Sequence, residues 1–269
     1  MNASLSWRPT DYVWPHLSEL HAFRALIRSI EHRLLDGQKP FARPVLDVGF
    51  GDGHFAAAAL RPGPLDVGID VDRAAMPQAQ RRGAYRQLVD ASAAAMPFPP
   101  DYFATIISNC VIEHIPDLRA TLAEMRRTLR PGGTLLLTVP TDRLEANLLI
   151  PRLLRAAGLS GLAARYRAWF RRVQVHYHLL SREQWIAALT EAGFQVVQQR
   201  GYMSARATKY FELGHYYGWP NLLARRLTGR WVIWPWRPRF FLIERLLAGF
   251  VAEAEHEDDS CFFMAACKL

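Results

Sequence analysis

The sequence predicts an α/β protein built on a doubly wound, mostly parallel seven-stranded sheet. Three observations carry this. Short apolar runs alternate with helical stretches from residue 45 to 140, the pattern of a parallel sheet covered on both faces. A glycine-rich turn, GFGDG (49–53), directly follows the first apolar run. The chain closes on another such run, CFFMAACKL (261–269).

In order along the chain, residues 16–35 place Leu17, Leu20, Phe23, Ile27, Ile30 and Leu34 at steps of three and four, on one face of a helix. Asp36-Gly37 ends it, and Pro40 and Pro44 keep the chain extended. VLDVG (45–49) reads as a buried strand and HFAAAAL (54–60) as a helix. RPGP (61–64) turns the chain into a second strand, LDVGID (65–70). The helix after it accommodates Pro77 only near its start. YRQLV (85–89) and FATIISN (103–109) are the third and fourth strands. DLRATLAEMRRTL (117–129) is a helix that RPGG (130–133) ends, and TLLLTVP (134–140) is the fifth strand. Residues 181–193 form a helix capped by Ser181, with Gly193 past its end. Residues 193–203 and 261–269 supply the last two strands. One domain, 1–269, is expected, with an N-terminal helical cover (1–40) and helical insertions at 141–180 and 204–250.

Half of the 269 residues are hydrophobic, as in a globular protein. The N-terminus, MNASLSWRPTDYVW, has no basic stretch leading into an apolar run and does not read as a secretory signal. Cys110, Cys261 and Cys267 make no paired spacing. Neither a disulfide framework nor a zinc site is expected, and a reducing cytoplasm is the default. The net charge of +8 is unevenly placed. Residues 141–180 hold seven Arg against two acids, and residues 201–250 hold seven Arg and one Lys against two Glu, so the remainder is acidic. That disfavours a nucleic-acid-coating protein and favours a local anionic partner.

A glycine loop between a strand and a helix N-terminus is a nucleotide or anion site, because the helix end offers unpaired N–H groups and partial positive charge. Asp70 ends the second strand, where a carboxylate can accept both hydroxyls of a ribose. A dinucleotide fingerprint needs a third glycine at the sixth position, and here that position is His54. Asp47, inside the first strand, suits the cationic amino group of S-adenosylmethionine better than a pyrophosphate.

VLDVGFGDGHF (45–55) resembles the first motif of class I S-adenosylmethionine-dependent methyltransferases. The resemblance continues in order through GIDVD (68–72), LVDASAAAMPFPPDYF (88–103), IISNCVIEHIPD (106–117) and LRPGGTLLLTVP (129–140), and resumes at residues 176–197. The subgroup it resembles is the ubiquinone-biosynthesis-type small-molecule methyltransferases. The resemblance implies a Rossmann-like methyltransferase fold and S-adenosylmethionine as cofactor. It implies that Asp47, Gly49, Gly51 and Gly53 surround the methionine end, with Phe50 leaning on the cofactor. Asp70 would hold the ribose, Val71 would pack near adenine, and Asp90 with the Ala91 backbone would face the adenine amino group. Asn109 would line the methyl-transfer pocket. Ala104 stands where the family usually has Asp. The N-terminal helix would cover the cofactor.

Methyl transfer chiefly needs alignment, and a general base matters most for oxygen acceptors. His114, after the fourth strand, and His178 are the expected catalytic groups, with His176, Tyr12 and His16 as other candidates. No third ligand cluster accompanies His176 and His178 in sequence, so no metal is expected. SNCV (108–111) replaces the NPPY-type run of amino-group methylases of nucleic acids. The insertions mix aromatics with arginines, as in WVIWPWRPRFFLIERLL (231–247), without eighteen uninterrupted apolar residues. They suit a lid over a small hydrophobic, lipid-like or anionic acceptor, or peripheral contact with a membrane surface. The competing classes are a catalytically silent cofactor-binding scaffold and an NAD(P)-dependent dehydrogenase.

Overall fold

The computed structural model describes residues 8–269, with the side chains of 219, 220 and 222 left out. Residues 1–7 of the expected N-terminal cover lie outside the described residues. Seven strands form one sheet in the order β3-β2-β1-β4-β5-β7-β6. They are β1 (Val45–Val48), β2 (Leu65–Asp70), β3 (Tyr85–Asp90), β4 (Phe103–Asn109), β5 (Leu129–Pro140), β6 (Phe194–Tyr202) and β7 (Cys261–Lys268). β1 to β5 run parallel, and β7 is antiparallel to both β5 and β6. The doubly wound, mostly parallel sheet expected from the alternation is present.

Successive residues of a strand point to opposite faces, and the core divides accordingly. Ile107, Leu136 and Phe263 face a layer made by α1 (Pro9–Leu17), α2 (Ala22–Asp36) and α3 (His54–Ala59). Their neighbours Ile106, Leu135 and Phe262 face the opposite layer. After α4 (Met76–Arg82), which opens with a proline in its first turn, that layer is made mainly by α5 (Leu118–Thr128). Asp117 caps α5, its Oδ1 accepting from the Ala120 N–H at 2.9 Å.

The first insertion folds as α6 (Arg143–Ala146), α7 (Leu149–Ala156) and α8 (Ser160–Gln174). α9 (Arg182–Glu191) then opens on a reciprocal cap between Ser181 and Gln184, and its Trp185 is fully buried with Nε1 donating to the Pro140 carbonyl. The second insertion holds α10 (Ala205–Tyr217), α11 (Trp219–Thr228) and α12 (Phe241–Val251). Among the described residues, no helix is long and apolar enough to cross a membrane.

Two boundaries differ from the sequence expectation. The single helix expected over 16–35 is two, α1 and α2, because the backbone turns extended at His21 (ψ 155°). The break lets both helices pack on the second insertion, α1 against α12 and α2 against α10 and α12. The RPGG turn lies inside β5. Phe103 pairs with Leu129 and Thr105 with Thr134, so residues 130–133 bulge out while the ladder resumes. β6 carries a similar register shift between Val196 and Gln198.

Candidate active site

The strand order reverses between β1 and β4, the switch point where such sheets open a crevice at their carboxyl ends. The loop after β1 lies there. Gly49 has φ +85°, and a Cβ on it would meet the Val111 side chain at 2.4 Å, so only glycine fits. Gly51 (φ +51°) has nothing within 4 Å of where a Cβ would stand, leaving its surface free for a ligand. Gly53, also at positive φ, caps α3. Phe50 is buried and packs near Tyr85, with ring centroids 6.0 Å apart.

The acids converge on this loop. Asp70 Oδ2 accepts from the Gly51 N–H at 2.7 Å, and its Oδ1 accepts from the Asp72 N–H at 2.9 Å. Asp47 is buried and accepts from the Tyr85 hydroxyl at 2.5 Å. Burial, with Asp70 nearby, pushes its pKa up to about 6 against the opposing Tyr85 hydrogen bond. A cation beside Asp47 would restore its charge. Val71 is exposed, the Ala91 N–H donates to the Asp70 carbonyl, and Asp90 pairs with the exposed Arg73.

Asn109 is placed differently from expectation. It is 8% exposed; its amide donates to Glu31 Oε2 at 2.8 Å and its oxygen accepts from Thr138. It sits in the floor of the site, with both polar groups engaged. His178 is likewise displaced from a catalytic role: its Nε2 lies 3.0 Å from the Ile115 carbonyl and 3.2 Å from that of Pro116. His176 and His178 lie on a connector, residues 175–180, that forms no strand.

His176 does face the site. A cavity of about 500 Å³ lies between α2, the end of β4 and both insertions. Arg24, Arg28, Glu113, His114, His176 and Trp231 are among its walls. A roomier groove of about 850 Å³ between α5 and α9 is lined by no strand end, and its Arg119, Arg126 and Glu191 are exposed helix side chains. The smaller cavity, unlike that groove, opens at the strand ends.

Glu113 and Glu31 escaped the sequence reading. Glu31 is fully buried and accepts from Arg28, Asn109, Cys110 and Tyr202. Its signal was an acid four residues after Ile27, on the apolar face of the helix. Glu113 is 1% exposed, and burial raises its pKa to about 8.

Behind the loop, three buried histidines form a chain. His16 Nδ1 lies 3.0 Å from His54 Nε2, and His16 Nε2 lies 3.3 Å from His32 Nδ1. Burial and the neighbouring imidazoles hold His16 well below its ordinary pKa, and burial lowers His32 and His21 to about 4. Histidines depressed in the fold bind protons first in the unfolded chain. Their stability contribution is complete above an unfolded pKa of about 6.5 and is lost as the pH falls toward their folded values. Asp47 and Glu113, raised in the fold, act in the opposite direction over the same range. His16→Gln leaves those acids unchanged. Urea unfolding between pH 7 and 5 should therefore show a shallower loss of stability in H16Q, by up to about 1.4 kcal/mol per pH unit. Equal slopes would remove His16 from the account.

Comparison with known proteins shows the family and the fold. The profile of a methyltransferase-domain family matches residues 19–199. An uncharacterized methyltransferase of Mycobacterium sp. strain JLS is 42% identical over 102 residues, which is 37% of this chain and 39% of that protein. One from Mycobacterium bovis is 35% identical over 105 residues, 38% of this chain and 53% of that protein. The chain thus aligns with well under two thirds of these relatives' length. Among solved structures, a possible histamine N-methyltransferase of Thermotoga maritima superposes with TM-score 0.52 at 14% identity, covering 91% of this chain and 92% of that one. A Haemonchus contortus phosphoethanolamine N-methyltransferase, solved with phosphomonomethylethanolamine and S-adenosylhomocysteine, gives TM-score 0.56 at 17% identity, covering 88% and 52%. At such identities these likenesses concern the fold. The profile match spans more than half of the chain, and the chain belongs to the methyltransferase-domain family, on the fold of the S-adenosylmethionine-dependent methyltransferases.

Proposed function

We propose that this methyltransferase moves the methyl group of S-adenosylmethionine to a small acceptor with an apolar body and an anionic group. The observation that carries it is the cavity wall. Phe23, Phe211 and Trp231 offer apolar surface, and Arg24 stands at the rim with no salt bridge among the described residues. Partial desolvation and the neighbouring Arg28 disfavour the Arg24 charge, with Asp52 opposing them, so an incoming carboxylate or phosphate relieves it. The cofactor's methionine end lies along Gly49–Gly53 with its ammonium on Asp47. The ribose takes the free lone pairs of Asp70, and adenine lies by Val71 and Ala91, with Arg73 swinging off Asp90. The acceptor's lone pair attacks the methyl carbon in line, and the carbon–sulfur bond breaks. Its electrons stay on sulfur, and an oxygen or nitrogen acceptor gives up its proton to the cavity wall. Of the two histidines expected to be catalytic, His114 is the one on that wall.

The test pairs cofactor binding with an acceptor panel. S-adenosylhomocysteine, and not NADH, should raise the melting midpoint. Arg24→Ala should raise KM for carboxylate- or phosphate-bearing acceptors about 10-fold or more with kcat little changed. Equal turnover of anionic and neutral analogues would overturn the acceptor class.

A second reading concerns the cap. Leu227, Trp234 and Leu242 are 77%, 72% and 78% exposed, among the exposed Arg226, Arg230 and Arg239. Apolar groups set among arginines suit the surface of an anionic bilayer, where a lipid-like acceptor would be met. Liposome flotation decides it. Cofloating with anionic vesicles at low salt is expected, and protein left in the soluble fraction sinks this reading.

A further inference from the structure

We infer that Glu113, His114 and His176 together hold a divalent transition-metal ion in the wall of the acceptor cavity. One ligand atom from each lies within 4.8 Å of the others. The placement joins the end of β4 to the end of the first insertion, so it appears only once the chain is folded. The inference rests on the proposed use of this cavity as the acceptor site.

Four features point to a ligand here. Glu113 is almost wholly buried, yet its Oε2 has no hydrogen-bond partner. The nearby cation, Arg28, favours the Glu113 charge from a distance but makes its ion pair with Glu31, at 2.6 Å. Buried Nδ1 of His176 is also unpartnered. Buried polar groups without partners are costly, and a site that retains two of them side by side is built for something that satisfies both.

The fourth feature is the orientation of His114. Its Nδ1 lies 3.1 Å from the Val175 carbonyl, which must accept, so Nδ1 carries the proton. That leaves the Nε2 lone pair directed to the cavity, 3.7 Å from Glu113 Oε1. A ring N–H donated to a backbone carbonyl is the arrangement that orients metal-bound histidines. The same segment is tied to the acid, since the Tyr177 and His178 N–H groups both donate to the Glu113 carbonyl. Burial lowers the pKa of both imidazoles, which keeps them neutral and able to coordinate.

Two nitrogens and one carboxylate oxygen form a borderline donor set. It suits zinc, cobalt, iron(II) or nickel, and it suits magnesium poorly. The His114 and His176 rings stack, with centroids 5.2 Å apart and planes at 24°. Closing on an ion draws donor atoms to roughly 3.3 Å apart, as metal–nitrogen distances of about 2.0–2.1 Å require. His176 can make this move, because it lies on the connector after α8 and its side chain has no hydrogen bond among the described residues. The remaining coordination positions open to the cavity. An acceptor oxygen bound there would lose its proton more easily, so the cation would supply the activation first expected of a histidine base.

The full chain, stripped with a chelator, would be titrated with zinc and with cobalt(II) by calorimetry and visible absorption. One ion per chain is expected, with cobalt bands in the visible and no comparable binding of magnesium. Glu113→Gln and His176→Ala should each weaken zinc binding on the order of 100-fold or more. His256→Ala, an exposed histidine away from the cavity, should not, which separates the site from surface histidines. S-adenosylhomocysteine binding, measured on the same samples, keeps the two questions apart. Cofactor binding without a stoichiometric ion overturns the metal site and leaves the methyltransferase reading standing. An ion without cofactor binding does the reverse. Zinc affinity unchanged in both E113Q and H176A also overturns the site, and melting curves without metal show whether those variants are folded.

Discussion

Asp70→Ala should lose about two orders of magnitude in affinity for S-adenosylhomocysteine, with the far-ultraviolet circular dichroism unchanged. Asp70 is doubly placed. Its oxygens already accept from the Gly51 and Asp72 N–H groups, which fixes the carboxylate beside the open face of Gly51. Each oxygen keeps a second lone pair directed to the crevice, where the two ribose hydroxyls would donate. A hydrogen bond to a charged acceptor is worth about 1.5–3 kcal/mol. Losing two, while loosening the Gly51 loop, costs about 3 kcal/mol, or roughly 100-fold in affinity. Asp70→Asn should fall between, because it keeps one acceptor and turns the other into a donor facing an N–H. Calorimetric titration reads all three proteins. An alanine variant that binds like the wild type would break the assignment of the ribose site and leave Asp70 as a loop-holding residue only.

The glycine loop and its flanking strands were legible in the sequence because they are local. A buried parallel strand shows as an unbroken apolar run, a close-approach loop shows as glycines, and a strand-end acid sits at a fixed offset. VLDVG, the GFGDG turn and the strand that Asp70 ends therefore stand where the sequence put them. The cavity beside them was not legible, because it is assembled from distant segments. Glu113 meets His176 only when the first insertion returns to the end of β4. The N-terminal helices and the second insertion share one core, in which Leu17, Leu26, Leu247 and Val251 are buried. The helical periodicity of each segment says that it has an apolar face and nothing about which face it meets. The same limit explains the two boundary errors. The turn at His21 and the bulge at 130–133 both answer to tertiary pairing, α1 with α12 in one case and β4 with β5 in the other. The setting of His178 was hidden for a related reason. It lies on a connector whose direction is set by hydrogen bonds to the carbonyls of Glu113, Ile115 and Pro116.

Glu31 carries the second large expectation. Its carboxylate is wholly buried and is the acceptor for four donors from different parts of the chain. Arg28 reaches Oε2 at 2.6 Å and Asn109 reaches it at 2.8 Å, while the Cys110 thiol and the Tyr202 hydroxyl donate to Oε1 at 3.0 and 3.2 Å. This one side chain thus pins α2 to the ends of β4 and β6, directly under the cavity. Removing one member of a buried ion pair costs about 3–5 kcal/mol, because the partner keeps its charge without compensation. Arg28 is 24% exposed and recovers part of that loss from water. Asn109 and Tyr202, both buried, have no such recourse. Glu31→Ala should therefore destabilise by about 3 kcal/mol, seen as a melting midpoint about 6 °C lower for a chain of this size. Glu31→Gln tests the cause. It preserves volume, so if packing were the issue it would be nearly silent. If acceptors are the issue it should lose most of the same stability, since its amide turns an acceptor into a donor facing donors. A glutamine variant melting within a degree of the wild type would remove the carboxylate from its place at the centre of this floor and leave the apolar contacts of α2 to hold the helix over the site.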